Sequence, residues 1–219
     1  MPEQLALDLP CKTAFGVEDY FVSSANEMVS GLIGEWQSWP LKKLLILGPK
    51  GAGKTHVARI WAEKSGANFI DVGGIGDFAE QGADNPAVVE NLELLPREQE
   101  EALFHLLNKF DQAGQYLVLT GRGAIGGWGI HLPDLESRLR QITQVQIKEP
   151  DDNLLLAVLI KQFQDRGLSP LPSVISYIQA RMPRSFEAIA NIVAELDRRS
   201  LQEGGRVTQK LARTLLEEL

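Results

Sequence analysis

Apolar positions follow two regimes along the chain. In the first, short continuous runs alternate with longer stretches where apolar residues recur every three or four positions. Leu44, Leu45, Ile46 and Leu47 form one run, as expected of a strand buried on both faces. Further strands are expected over 68–72, 87–92, 116–120 and 145–147. Helices are expected over 54–64 and over 97–110, where Leu103, Leu106, Leu107 and Phe110 share a face. Upstream, Ser23 or Ser24 is placed to cap a helix reaching Trp36, with Met28, Leu32 and Trp36 on its stripe and Pro40 as its stop. Strands alternating with helices imply a mostly parallel sheet flanked by helices. After Glu149-Pro150-Asp151-Asp152 the strand signals cease, and 153–166, 172–180, 185–200 and 208–219 all read as helices, the first capped by Asp151 or Asp152. The expectation is therefore an α/β domain over 13–150, an all-α domain over 151–219 and a flexible tail over 1–12, bracketed by Pro2 and Pro10.

Composition narrows this picture modestly. The 219 residues carry a net charge of −7, so there is no general electrostatic pull toward nucleic acid. The basic residues of the last third, Arg181 to Arg213, are interspersed with Glu187, Glu195, Asp197 and Glu203. Mixed helix surfaces are expected there, without direct sequence-specific DNA binding. Cys11 is the single cysteine, which excludes an internal disulfide. Asp8 interrupts the N-terminal apolar residues and no basic stretch precedes them, so no secretory leader is expected. No apolar run approaches the length of a membrane span, and a cytoplasmic location is expected.

The strongest chemical signal is Gly48-Pro49-Lys50-Gly51-Ala52-Gly53-Lys54-Thr55. It satisfies G-x-x-x-x-G-K-[ST] at every fixed position, between an expected strand and an expected helix. Backbone N–H groups of such a loop point at phosphate oxygens, and the helix dipole adds to their field. Lys54 would neutralise the outer phosphates of ADP or ATP, and Thr55 would offer its hydroxyl to Mg²⁺. Glu90, near the end of the 87–92 segment, is the candidate acidic partner for Mg²⁺; its other reading is a strand cap. Asn91 follows it, and an amide cannot act as a general base for water. Weak intrinsic ATPase activity is therefore expected.

At these residues the sequence resembles the DnaA family of AAA+ ATPases. GPKGAGKTH, with His56 directly after Thr55, is similar to the family's phosphate loop. Phe21 and Val22 lie in a stretch similar to the one that borders the adenine. Thr120 falls in a segment that resembles the sensor-1 strand. Leu132-Pro133-Asp134-Leu135-Glu136-Ser137-Arg138-Leu139 closely resembles the segment carrying an arginine finger, which gives Arg138 that role in trans. Arg184, after Pro183 at a helix start, resembles the sensor-2 arginine of a lid. The resemblance implies an AAA+ P-loop NTPase core with a small all-α lid.

Within that family the chain is most similar to the Hda-type regulators, which lack the DNA-binding domain. Gln4, Leu5, Ala6, Leu7, Asp8 and Leu9 look like their sliding-clamp-binding peptide, an extended segment laying an amide and apolar anchors into a groove. What this implies is regulatory inactivation: docking on the DNA polymerase III β clamp, stimulation of hydrolysis of DnaA-bound ATP, and prevention of re-initiation. Head-to-tail self-association is compatible with an arginine finger. The alternatives are a free-standing AAA+ ATPase such as a helicase loader and, less well matched, a small-molecule kinase.

Overall fold

The structure is a computed structural model that describes residues 22–81, 83–202 and 206–218. The chain divides into two compact units, Ser24–Glu149 and a second that contains Pro150–Leu219.

The first unit is built on a five-stranded parallel sheet in the order β2-β3-β4-β1-β5. Its strands are β1 (Lys43–Leu47), β2 (Asn68–Ile70), β3 (Ala87–Val89), β4 (Leu117–Gly121) and β5 (Thr143–Gln146). Parallel pairing requires crossovers, and helices supply them: α2 (Lys54–Ser65), α3 (Ile75–Gln81), α4 (Glu100–Ala113) and α5 (Pro133–Gln141), with α1 (Glu27–Gly34) ahead of β1. Strand alternation sends Leu45, Val89 and Leu119 to one face, where Leu103, Leu106, Leu107 and Phe110 of α4 and Leu135 and Leu139 of α5 join them in one core. On α2, Val57, Ala58 and Trp61 are buried, and the helix contacts α1, β3 and β4.

Two local expectations are corrected. The first helix buries Val29 and Ile33, not Met28, which is exposed, and it ends at Gly34, with Trp36 in a following 3-10 turn. Two apolar stripes one residue apart both satisfy helical spacing, and packing against the sheet selects one of them. The segment expected as a strand over 87–92 leaves the ladder after Val89. Asn91 adopts a left-handed conformation (φ 59°) and opens a 3-10 turn over Leu92–Leu94, which asparagine tolerates better than most residues. Helix α3 was not expected; its signal was the one-turn pair Ile75 and Ala79, both buried.

The second unit is α-helical: α6 (Asp152–Asp165), α7 (Pro172–Gln179), α8 (Phe186–Gln202) and α9 (Gln209–Glu217). Leu155, Leu159, Phe163, Ile178, Ile189, Val193, Leu196 and Leu215 form its core. The Asp151 carboxylate caps α6 by accepting from Leu154 N–H at 2.8 Å. Arg199 joins Glu195 on α8 to Glu218 beyond α9, each at 2.6 Å. Hydrogen bonds from Arg198 and Arg199 hold the Glu195 carboxyl down at about 2.

Candidate functional site

Strand β1 delivers the chain into the loop 48–53, and α2 leads it away. Two glycines are dictated by this geometry. A Cβ on Gly48 would lie 2.8 Å from the Ile147 carbonyl oxygen, and Gly53 sits at φ 93° as the N-cap of α2. No side chain caps α2, so its first N–H groups and its dipole face the loop, as an anion site requires. Lys54, 7% exposed, donates to the carbonyl oxygens of Gly48 and Pro49, both at 2.8 Å. Burial, and next the Arg122 guanidinium, lower its ammonium pKa, while Glu93 and Glu90 oppose them. Ala52 is buried; Thr55 and Lys50 are exposed; Pro49, Gly51 and His56 are intermediate.

The ends of β3 and β4 meet beside this loop. Val89 and Leu119 are register partners, which sets Glu90 and Asn91 next to Thr120. Thr120, 1% exposed, accepts from the Asn91 N–H through its hydroxyl oxygen at 3.1 Å, so it clasps the two strand ends together. Glu90 has a buried carboxylate oxygen without a hydrogen-bond partner among the described residues. An orphaned buried carboxylate oxygen and an accessible hydroxyl are the hard oxygen donors that suit Mg²⁺, and Glu90 and Thr55 supply them. Among the described residues no group of three or more His, Cys, Asp or Glu could hold a metal ion.

Sequence reasoning missed two members of this cluster. Glu93 accepts the backbone N–H of Arg122 at 3.1 Å, and its other oxygen lies 2.9 Å from Arg122 Nε. Trp128 donates from Nε1 to the Arg122 carbonyl at 2.6 Å. Its ring lies so close over Gly121 that a Cβ there would come within 2.4 Å. The available signal was the acid three residues past Glu90 and the arginine two past Thr120.

Arg138 occupies a different place. It lies on α5, 3.5 Å from Asp111 Oδ2 and over the Phe104 ring at 6.0 Å. Asp111 also accepts from Lys43, the first residue of β1. The phosphate loop follows the other end of β1, about 16 Å away at about 3.3 Å per strand residue. Glu100 fixes the entry to α5 by accepting from the N–H groups of His131 (3.0 Å) and Leu132 (2.7 Å).

In the helical unit Arg184 pairs with Asp152 Oδ1 at 2.9 Å. The compensation that a cation at a helix start calls for is thus supplied there by a carboxylate. Val22 is exposed. Phe21, the tail over 1–12 and its segment 4–9 lie outside the described residues. Among the described residues no helix is long and apolar enough to cross a membrane.

These features define an AAA+ fold, a parallel sheet with its phosphate-type loop after β1 in one unit and an α-helical second unit. Within that class the form is DnaA-like. Domain III of the replication initiation protein DnaA from Thermotoga maritima superposes with a TM-score of 0.83 at 15% identity, over 96% of this chain and 98% of that one. AMPPCP-bound DnaA from Aquifex aeolicus gives 0.69 at 16% identity, over 88% and 70%. A RuvB variant from Thermotoga maritima gives 0.68 at 16%, over 92% and 71%. No family model matches the sequence, and no curated protein does.

Proposed function

We propose that the chain is a nucleotide-bound regulator of the Hda type, which acts on ATP held by the replication initiator DnaA. Gly48, Gly51, Gly53, Lys54 and the α2 N-terminus hold the phosphates of ADP or ATP, and Thr55 and Glu90 hold Mg²⁺. The bound metal would neutralise phosphate charge. The resemblance to the DnaA family further assigns Phe21, Val22, His56, Thr120 and Arg184 to nucleotide binding. The segment 4–9 docks on the β sliding clamp, and Arg138 serves the nucleotide of a neighbouring molecule. The observation that carries this reading is the position of Arg138 beside Asp111 and Lys43, at the end of β1 remote from its own loop. A guanidinium so placed is of use to a second molecule's phosphates, where such a charge speeds hydrolysis by about 10³ to 10⁵. The likeness to DnaA solved with AMPPCP supports adenine nucleotide as the ligand.

A free-standing ATPase is the second reading, and Glu93 favours it. Asn91 offers no base, but Glu93 places a second carboxylate in the field of Lys54. The two readings separate in one experiment: conversion of DnaA-bound ATP to ADP, with and without this chain and DNA-loaded clamp. The regulator reading requires acceleration that depends on both additions. Rapid turnover by the chain alone, without effect on DnaA, would favour the second. Deleting residues 2–9 is expected to abolish clamp retention while nucleotide binding persists; retention by the shortened chain would remove the clamp assignment.

A further inference from the structure

Acidic and basic residues are intermingled over the last third of the sequence, but the fold sorts them by pairing. On α6 Lys161 meets Asp165 at 2.8 Å, and Arg184 meets Asp152 at 2.9 Å. On α8 Glu195 is shared by Arg198 and Arg199, and Arg199 also takes Glu218. Helices α7 and α9 are left with a different balance. Arg181, just past the end of α7, and Lys210, in the first turn of α9, are exposed and form no ion pair among the described residues. Arg213, one turn further along α9, pairs with Glu217 at 2.8 Å, with side chains 68% and 62% exposed. A surface pair of that kind holds weakly, so another anion can replace Glu217.

Tyr177 draws these cations into one face. The Arg181 guanidinium lies over its ring at 4.0 Å, and Tyr177 is within electrostatic reach of Arg213. Helix α7 packs against α9, with Ile178 and Leu215 buried beneath them. Ser176, exposed beside Tyr177, adds a hydroxyl. Three cations thus stand with one carboxylate, Glu217, in a chain whose net charge is −7.

Exposed arginine, lysine and serine side chains are the groups that meet DNA phosphates. An acidic peptide would need apolar anchors between its charges, but the large exposed apolar side chains of this unit, Leu171 and Leu201, precede α7 and end α8. A single strand is held by stacking bases on free aromatic faces, whereas the Tyr177 ring already carries Arg181. We infer that the α7–α9 face binds the phosphate backbone of duplex DNA through Arg181, Lys210 and Arg213. The contact reads no bases, so it is independent of sequence and sensitive to salt. The negative charge of the whole chain keeps it weak. It requires neither a bound nucleotide nor the segment 4–9.

Anisotropy titration of a short labelled duplex of arbitrary sequence with the full chain, at about 25 to 200 mM salt, tests it. The expected slope of log affinity against log salt is about −3, and each of Arg181→Ala, Lys210→Ala and Arg213→Ala is expected to reduce it by about 1. Arg198→Ala removes the same charge from α8 and is expected to leave duplex binding unchanged. An equal loss in Arg198→Ala, or no duplex binding at about 25 mM salt, overturns the inference. Tighter binding of the single strand would overturn it as well. So would polyglutamate that displaces the duplex as readily as unlabelled DNA does, which would assign the face to an acidic protein. Should an alanine variant lose its fold, the glutamine variant at the same position decides, and an unchanged slope there contradicts the contact.

Discussion

Arg138 lies 3.5 Å from the Asp111 carboxylate, and that carboxylate also accepts from Lys43. One anion thus serves a half-exposed arginine and a lysine that is 3% exposed. The two cations differ in what their loss would cost. Asp111→Ala strips the partner from a buried ammonium and is expected to lower stability by about 1–3 kcal/mol. Arg138→Ala removes an exposed pair worth less than about 1 kcal/mol. Denaturant unfolding of both variants checks the order; equal losses would mean that Asp111 matters to Arg138 as much as to Lys43.

Glu100 gives a pH dependence with a defined sign. Burial alone would raise its carboxyl, but the N–H groups of His131 and Leu132 outweigh burial and hold it below the ordinary 4.5. A lowered carboxylate contributes stability above the unfolded value, and that contribution is lost as pH falls through the folded one. Glu100→Gln is therefore expected to cost about 1–2 kcal/mol at pH 7, with the gap to wild type closing below pH 4.5. A gap constant from pH 7 to pH 3 would show that the charge on Glu100 is not what holds the start of α5.

Gly121→Ala tests the joint behind Arg122. The new methyl would come within 2.4 Å of the Trp128 ring, forcing the indole away and breaking its bond to the Arg122 carbonyl. Overpacking of this kind costs about 1–3 kcal/mol. The melting temperature should fall. A variant as stable as wild type would mean that the strand end relaxes freely.

The sheet and the phosphate loop were legible because their signals are local. Leu44 to Leu47 is a continuous apolar run, and a loop motif followed by a helix is set by eight adjacent residues. What stayed hidden depends on residues far apart. Glu93 and Arg122 meet because the β3–β4 register aligns Val89 with Leu119, a pairing that neither segment encodes alone. Arg138 was singled out by resemblance alone, and its partner Asp111 lies on another helix, α4. Met28 and Val29 illustrate the opposite limit: both fit helical spacing, and burial against the sheet decides. Glycines flank α3, whose one-turn apolar pair is too short to stand out.

The central claim is that Arg138 acts on a nucleotide held by another molecule. Single-turnover hydrolysis of DnaA-bound ATP, with DNA-loaded clamp and either wild-type chain or Arg138→Ala, tests it most directly. The account predicts acceleration by wild type and a loss of about 10³-fold or more of that acceleration in the variant, with nucleotide affinity unchanged and the fold intact. Equal acceleration by both proteins would contradict it.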